Sequence, residues 1–175
     1  VCEPQAQPKL YNIAGVQPVL RDEFLATIAT QPTAPPDWGM DPDDIAILLY
    51  TSGTTGSPKA AVLRHKHLVS YIFGSVEFMG ADEDEATLIS VPPYHIAGMA
   101  AILSAVYAGR RIVQLPSFDA GTWVEMAIRE GITHAMVVPT MLARIVDYMD
   151  QHRIDNIPTL RAMSYGGGKM PLPVI

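Results

Sequence analysis

A loop rich in hydroxyl residues and glycines lies at residues 49–59, where the chain reads Leu49-Tyr50-Thr51-Ser52-Gly53-Thr54-Thr55-Gly56-Ser57-Pro58-Lys59. An apolar run at residues 45–49 leads into the loop, and a lysine ends it. Backbone N–H groups, hydroxyls and an ammonium group in one loop suit the binding of a phosphate chain. Glycine permits the close backbone approach that such a cradle needs. We therefore treat this loop as the first candidate binding element and the rest of the chain as its scaffold.

The loop departs from the Walker A pattern G-x-x-x-x-G-K-[ST]. Lys59 follows a proline instead of a glycine, and Ala60 stands where the pattern requires Ser or Thr. Pro58 also lacks the N–H group that a phosphate nest at a helix terminus would use. A Walker A loop is therefore excluded, and nothing requires a helix to begin at Lys59.

Composition and charge exclude several classes of function. The 175 residues are 49% hydrophobic and 17% charged, which predicts one globular domain with a substantial core. A net charge of −6 without a basic cluster predicts no nucleic-acid partner. Cys2 is the only cysteine, so we expect neither an intrachain disulfide nor a thiolate metal site, and we expect a reducing, cytoplasmic setting. The longest apolar stretch, Ile96–Ala108, is shorter than the ~20 residues of a membrane span, which predicts a buried helix and no transmembrane segment.

The pattern of the chain changes at residue 45. Residues 1–44 are rich in proline and predict an irregular N-terminal segment and linker, with one short helix at 22–30 capped by Asp22. Residues 45–175 instead alternate strands and helices and form the predicted α/β subdomain. Its predicted strands are 45–50, 87–91, 111–115, 134–138 and 160–165. Its predicted helices are 66–79, 96–108 ending at Gly109, 120–130 capped by Asp119, and 140–152.

This alternation of buried strands and helices predicts an α/β fold, with a mostly parallel sheet and helices on both faces. Ligands in such folds bind outside the carboxyl ends of the strands. Four of the five predicted strands are followed by unusual residues, namely 51–59, Pro92-Pro93-Tyr94-His95, Pro139-Thr140 and Gly166-Gly167-Gly168-Lys169. If the strands are parallel, these loops open on one edge of the sheet and form one shared site.

Residues 50–59 closely resemble the signature [YF]-T-S-G-[ST]-T-G-x-P-K of the adenylate-forming superfamily, which includes acyl- and aryl-CoA synthetases, the adenylation domains of peptide synthetases, and luciferases. The stretch at 92–98 is similar to the family's P-x-[FY]-H-x-x-G segment. The stretches at 138–140 and 160–171 are similar to V-P-[TS] and L-R-x-x-x-x-G-G-[AG]-x-[ML]-P. Two positions depart from the family pattern: Ala60 replaces a usual glycine, and Lys169 replaces a small or apolar residue.

The resemblance implies the large N-terminal domain of an acyl-CoA synthetase, which uses ATP, Mg²⁺ and CoA and acts on a small carboxylic acid. It implies that the β- and γ-phosphates of ATP are bound by Thr51, Ser52, Gly53, Thr54, Thr55, Gly56 and Lys59. Thr51 would also help to position Mg²⁺. His95 would stand at the mouth of the acyl pocket, and Gly166, Gly167 and Gly168 would let the adenine ring and the acyl chain approach the backbone. No firm catalytic residue is assigned within the chain.

The same resemblance implies further segments beyond Ile175: a Y-G-x-T-E segment with a magnesium-binding glutamate, an aspartate that holds the ribose, a hinge, and a small domain with a catalytic lysine. We therefore expect the isolated chain to be inactive as a ligase. We also expect it to self-associate as a homo-oligomer, because truncation would expose sheet edges and apolar faces.

Several alternatives stay open at this point. The parent could be a peptide-synthetase adenylation domain or a non-catalytic nucleotide- or phosphate-binding module, and the chain could be a structural fragment that binds nothing alone. Three methionines, Met99, Met136 and Met141, suit either an acyl pocket or core packing. The acidic run at 82–85 is typical of a solvated loop. Four other histidines are expected at the surface or at strand ends: His65, His67, His134 and His152.

Overall fold

A computed structural model describes residues 1–2, 4–32, 39–51 and 59–169 of the chain. The described residues form six helices and six strands. The helices are α1 (Gln7–Leu10), α2 (Arg21–Ala29), α3 (His65–Ser75), α4 (Ile96–Ala108), α5 (Ala120–Arg129) and α6 (Pro139–His152). The strands are β1 (Ile45–Thr51), β2 (Lys59–Arg64), β3 (Ala86–Ile89), β4 (Arg111–Gln114), β5 (His134–Val137) and β6 (Ala162–Tyr165). Among these helices, none combines the length and the apolar content that crossing a membrane requires.

The chain divides into two compact units, Val1–Gly39 and Met40–Ile175. In the first unit, the backbones of Cys2 and Leu20 form an isolated parallel β-bridge. The Cys2 N–H donates to the carbonyl oxygen of Val19 at 2.9 Å. Helix α2 begins at Arg21, one residue before the predicted helix. Its N-cap is Leu20, which has no side-chain oxygen, so the prediction that Asp22 caps this helix is wrong. Asp22 lies instead in the first turn, where its charge complements the helix dipole.

Strands β1 and β2 form an antiparallel hairpin, in which Thr51 pairs with Lys59 and Ile45 pairs with Arg64. The prediction of a strand at 45–50 is confirmed, but the expectation that this strand joins the parallel sheet is wrong. Strand β2, which follows at once, was not predicted. The short connection between β1 and β2 explains why they pair with each other. A short loop can join antiparallel strands, whereas parallel neighbours need a crossover of a dozen or more residues.

The second sheet contains four strands in the order β4-β3-β5-β6, and every neighbouring pair is parallel. Helices α4, α5 and α6 are the crossovers between successive strands. This arrangement confirms the predicted α/β class. The predicted boundaries hold best for α4, which matches at both ends and stops at Gly109 in the left-handed conformation (φ 74°) that glycine adopts readily.

Helices cover both faces of the parallel sheet. On one face Leu88 and Val137 pack with Trp123 of α5 and Ile145 of α6, and all four side chains are buried. On the other face Thr87 and Met136 share a cavity wall with Ala100 of α4. The core therefore lies mainly on the α5–α6 side, and α4 lies over the opposite face, where space remains between helix and sheet.

Candidate functional site

The hairpin holds the two ends of the predicted phosphate loop directly opposite each other. Thr51 is the last residue of β1, Lys59 is the first residue of β2, and they are register partners. Lys59 is exposed. Residues 52–58, which carry most of the predicted phosphate contacts, lie outside the described residues. The loop is therefore a connection within a hairpin, and it does not follow a strand of the parallel sheet.

The turn after β3 presents His95 at the carboxyl end of that strand. His95 is the N-cap residue of α4 and is exposed, its N–H donates to the carbonyl oxygen of Pro92 at 3.0 Å, and its ring centroid lies 4.8 Å from that of Tyr94. One turn into the helix, Gly98 is buried against this loop. A Cβ atom at Gly98 would approach the carbonyl oxygen of Val91 to 2.5 Å, and that of Pro92 more closely still. Glycine thus lets the start of α4 rest directly on the turn that carries His95.

A buried hydrogen bond fixes the root of the same turn. The indole N–H of Trp123 donates to the hydroxyl of Ser90 at 3.2 Å, and both residues are buried. The sequence predicts the helix that contains Trp123 but not this partner, because nothing in the sequence links Ser90 to a residue of a later helix. The only available signal was a serine directly after a strand of apolar residues.

The glycines after β6 lie beside the turn that follows β5. The Gly166 N–H donates to the carbonyl oxygen of Val137 at 3.3 Å, and Gly167 has a φ of 83°, which disfavours any side chain. Cβ atoms at Gly167 and Gly168 would meet Val138 and Pro139 only at ordinary contact distance, 3.7 Å. Glycine is therefore required at position 167 by the positive φ angle of its backbone, and not by close neighbouring atoms.

An apolar cavity of ≈ 350 Å³ joins these elements. It reaches from the hairpin and α3, across α4, to the ends of β5 and β6. Its wall is formed by Leu63, His67, Leu68, Tyr71, Ile96, Ala97, Ala100, Leu103, Met136 and Gly167. Among the described residues predicted for the site, Gly167 is part of this wall. Ile96, which follows His95 in the chain, is also part of it. We call it the apolar cavity.

Few of the residues that line the apolar cavity could be predicted from the sequence. Met136 lines it, whereas Met141 packs against the buried core and Met99 is half-buried in α4. His67 is exposed, as expected of a surface residue, and it also lines the cavity wall. Leu68 and Tyr71 lie within the predicted helix at 66–79, but their place in a cavity wall could not be predicted because it depends on how α3 packs on α4.

The sequence profile of AMP-binding enzymes matches residues 2–175. The chain belongs to the AMP-binding enzyme family. Over 133 residues it is 33% identical to a 2-succinylbenzoate–CoA ligase of Geobacillus sp., a match that covers 76% of this chain and 27% of that protein. The chain therefore spans about a quarter of the length of this curated relative.

Solved structures of adenylate-forming proteins share the fold of this AMP-binding enzyme chain. The N-terminal domain of FACL13 from Mycobacterium tuberculosis superposes with a TM-score of 0.83 over 98% of this chain and 44% of that chain, at 21% identity, which is a likeness of fold alone. An o-succinylbenzoate CoA synthetase from Bacillus subtilis, in complex with AMP, gives a TM-score of 0.61 at 30% identity, over 77% of this chain and 34% of that chain.

Charged groups of this AMP-binding enzyme chain concentrate at the opposite, amino end of the parallel sheet. Arg110 pairs with Glu85 at 2.7 Å, and Arg161 pairs with Asp84 at 2.6 Å. The acidic run at 82–85, predicted as a solvated loop, thus supplies partners for two arginines. Within the described residues, no cluster of His, Cys, Asp and Glu could hold a metal ion.

Proposed function

We propose that the whole protein is an ATP-dependent, AMP-forming acyl-CoA synthetase that acts on an apolar fatty or aryl acid. An oxygen of the acid carboxylate attacks the α-phosphorus of ATP, the bond to the β-phosphate breaks, and pyrophosphate leaves. The CoA sulfur then attacks the acyl carbon of the acyl-adenylate, and AMP leaves. The observation that carries this proposal is the apolar cavity, which runs from the exposed His95 turn and Gly167 into the space under α4.

Each candidate site residue has a defined task in this proposal. Thr51, Lys59 and the loop between them donate hydrogen bonds and positive charge to the leaving pyrophosphate, on which negative charge builds in the transition state. His95 orients the acid at the mouth of the apolar cavity. It does not act as a general base, because a carboxylic acid is already ionised at neutral pH. Gly167 leaves room for the acyl-adenylate beside the backbone.

Mg²⁺ and CoA belong to the same proposal. Magnesium prefers hard oxygen ligands and is usually held through substrate phosphates together with one or two protein oxygens, so the hydroxyl of Thr51 fits the donor set as one such oxygen. When bound, the ion would neutralise charge on the phosphates during transfer. The cytoplasmic setting expected from the single cysteine stays a prediction.

Exchange of labelled pyrophosphate into ATP by the full-length protein tests the proposal. We expect exchange that depends on a fatty or aromatic acid, and formation of the CoA thioester when CoA is added. Exchange with amino acids only would favour a peptide-synthetase adenylation domain. Binding of ATP without any acid-dependent exchange would favour a non-catalytic nucleotide-binding module, and either result would overturn the proposal.

A further inference from the structure

A second cavity lies under α4, next to the apolar cavity, and its wall contains several polar side chains among apolar ones. Its volume is ≈ 230 Å³, and it shares the wall residues Tyr71, Ala100 and Met136 with the apolar cavity. We call it the polar cavity. It continues along the sheet towards the amino ends of β3 and β5, where it meets Thr87, Ser104, Arg110, His134 and Ser164.

The space exists because α4 turns small residues towards the sheet. Ala97, Ala100 and Ser104 follow one another at intervals of three and four residues, which places them on one face of the helix. Ala97 lines the apolar cavity, Ser104 lines the polar cavity, and Ala100 lines both. One face of α4 thus lines both the apolar cavity and the polar cavity.

The polar cavity contains a buried hydroxyl that has no partner in the described part of the chain. Thr87 is 5% exposed, and its hydroxyl makes no hydrogen bond there. Every fully enclosed side-chain polar atom of the described residues does have a partner. The Thr87 hydroxyl therefore opens onto the cavity that it lines. The hydroxyl of Ser104, on the facing helix, is also without a hydrogen bond within the described residues.

His134 supplies an acceptor to the same space. The Thr133 hydroxyl lies 3.0 Å from the carbonyl oxygen of Ala86, to which it can donate, and 2.9 Å from Nδ1 of His134. When the hydroxyl donates to Ala86, Nδ1 of His134 carries the ring proton and donates to the Thr133 oxygen. Burial, and then the positive charge of Arg110, lowers the pKa of His134 and keeps the ring neutral. In a neutral ring protonated at Nδ1, Nε2 is a free lone-pair acceptor.

The positive charge at the far end of the polar cavity is compensated. Both Nε and Nη2 of Arg110 donate to one oxygen of Glu85, at 2.8 and 2.7 Å, and the side chains are only 16% and 13% exposed. Arg161 approaches the other Glu85 oxygen at 3.6 Å and also pairs with Asp84. An added anion would therefore be buried without a cation of its own, at a large cost.

We propose that the polar cavity is a second subsite for the substrate tail, and that the acid is one with an apolar middle and a neutral hydroxyl or carbonyl oxygen further along its chain. The carboxylate stays at the His95 end, the apolar segment fills the apolar cavity, and the tail oxygen reaches Thr87, Ser104 and His134. This inference rests on the proposed function, because it assigns a substrate class to that same site.

The test compares three straight-chain acids of equal length with the full-length protein: unsubstituted, ω-hydroxy and ω-carboxy. The readout is kcat/KM for acid-dependent pyrophosphate exchange over a series of lengths. Once the chain is long enough to reach the polar cavity, we expect the ω-hydroxy acid to exceed the unsubstituted acid by about threefold to tenfold, the range for one net hydrogen bond. The ω-carboxy acid should fall below both.

Two substitutions locate the effect. Thr87→Val and Ser104→Ala should each remove about threefold or more of the ω-hydroxy advantage. Ser117→Ala, an exposed serine outside both cavities, should leave the ratio of the two acids unchanged. Having both variants keeps the test usable if the buried Thr87→Val change prevents folding.

The outcomes separate the two proposals. An unsubstituted acid that equals or exceeds the ω-hydroxy acid at every length overturns the tail subsite but leaves the synthetase intact. So does an ω-hydroxy advantage that survives in both variants. Absence of exchange with every acid overturns the synthetase, and the subsite with it.

Discussion

Single contacts hold the turn that carries His95. Trp123 donates to Ser90 at the root of the turn, and Gly98 lets α4 lie against the backbone of Val91 and Pro92. Neither Ser90 nor Trp123 needs to touch a substrate. Their contribution is to fix where the first residues of α4 stand relative to the end of β3. At this level, the position of the candidate site depends on buried packing behind it.

The Trp123–Ser90 bond can be tested by a double-mutant cycle. Trp123→Phe removes the donor and leaves a buried hydroxyl unpaired, which we expect to cost about 1–3 kcal/mol of unfolding free energy in addition to the lost packing. The double variant Trp123→Phe with Ser90→Ala should lose less than the sum of the two single changes, because no unpaired hydroxyl remains. Urea denaturation of the chain measures all four proteins. Strict additivity would mean that the bond contributes nothing.

Gly98→Ala should destabilise the chain by about 1–3 kcal/mol, the usual cost of overpacking a buried position. The new methyl group would press on the carbonyl oxygens of Val91 and Pro92, which are backbone atoms and cannot rotate away. The matched control is Gly74→Ala in α3, where a Cβ meets nothing within 4 Å. Because alanine favours a helix over glycine, this control should stabilise slightly. Equal denaturation midpoints for the two variants would contradict the steric argument.

Elements with strong local signals could be predicted from the sequence. Helix α4 is an apolar run closed by Gly109, and α5 begins after Asp119, whose carboxylate accepts from the Thr122 N–H at 2.9 Å. Strand β2 has no such signal in its sequence. It is mostly exposed, so its residues, KAAVLR, do not alternate between apolar and polar types. Its partner β1 looked like a buried parallel strand because an apolar run does not reveal which strand it pairs with. Positions around the candidate site follow the same division. The place of His95 after a strand could be predicted, whereas the walls between α3 and α4 depend on tertiary packing.

The cap of α5 gives a prediction about pH. Hydrogen bonds from Thr122 lower the pKa of Asp119 below its usual 3.8. A carboxyl with a lower pKa in the folded state stabilises the fold above its unfolded pKa, and this contribution is lost as the pH falls through the folded value. Asp119→Ala should therefore lower the melting temperature at pH 7 by about 2–4 °C, and the difference from wild type should shrink below about pH 3.8.

Asp119→Asn separates the cap from its charge. Asparagine caps helices as well as aspartate does, so this variant should melt near the wild-type temperature at pH 7. It should also lack the loss of stability that protonation of Asp119 causes in acid. If the gap between wild type and Asp119→Ala stays constant down to pH 2, the carboxylate is not the group responsible.

Taken as a whole, the Met40–Ile175 unit carries its charge network and the His95 turn at opposite ends of the parallel sheet. Ion pairs such as Arg110–Glu85 lie at the amino ends of the parallel strands, whereas His95 and Gly167 follow the carboxyl ends. The two cavities under α4 run between these ends. A substrate tail that enters near His95 would thus extend towards Thr87, Ser104 and His134. In the proposed function this unit binds and orients the acid, and binding alone does not complete the reaction.

The 175-residue chain alone should form no acyl-adenylate. It spans 27% of the length of a related CoA ligase, and its sequence contains no Y-G-x-T-E segment to supply the magnesium-binding glutamate that the family resemblance implies. Without that charge, the loop and Lys59 must hold ATP on their own, and the phosphates are not positioned for attack at the α-phosphorus.

The measurement is pyrophosphate exchange by the isolated chain beside the full-length protein, with the same acids. A cooperative thermal transition in circular dichroism is the control that the chain is folded. Acid-dependent exchange by a folded 175-residue chain would contradict this prediction, because it would show that residues 1–175 are sufficient for the first half-reaction.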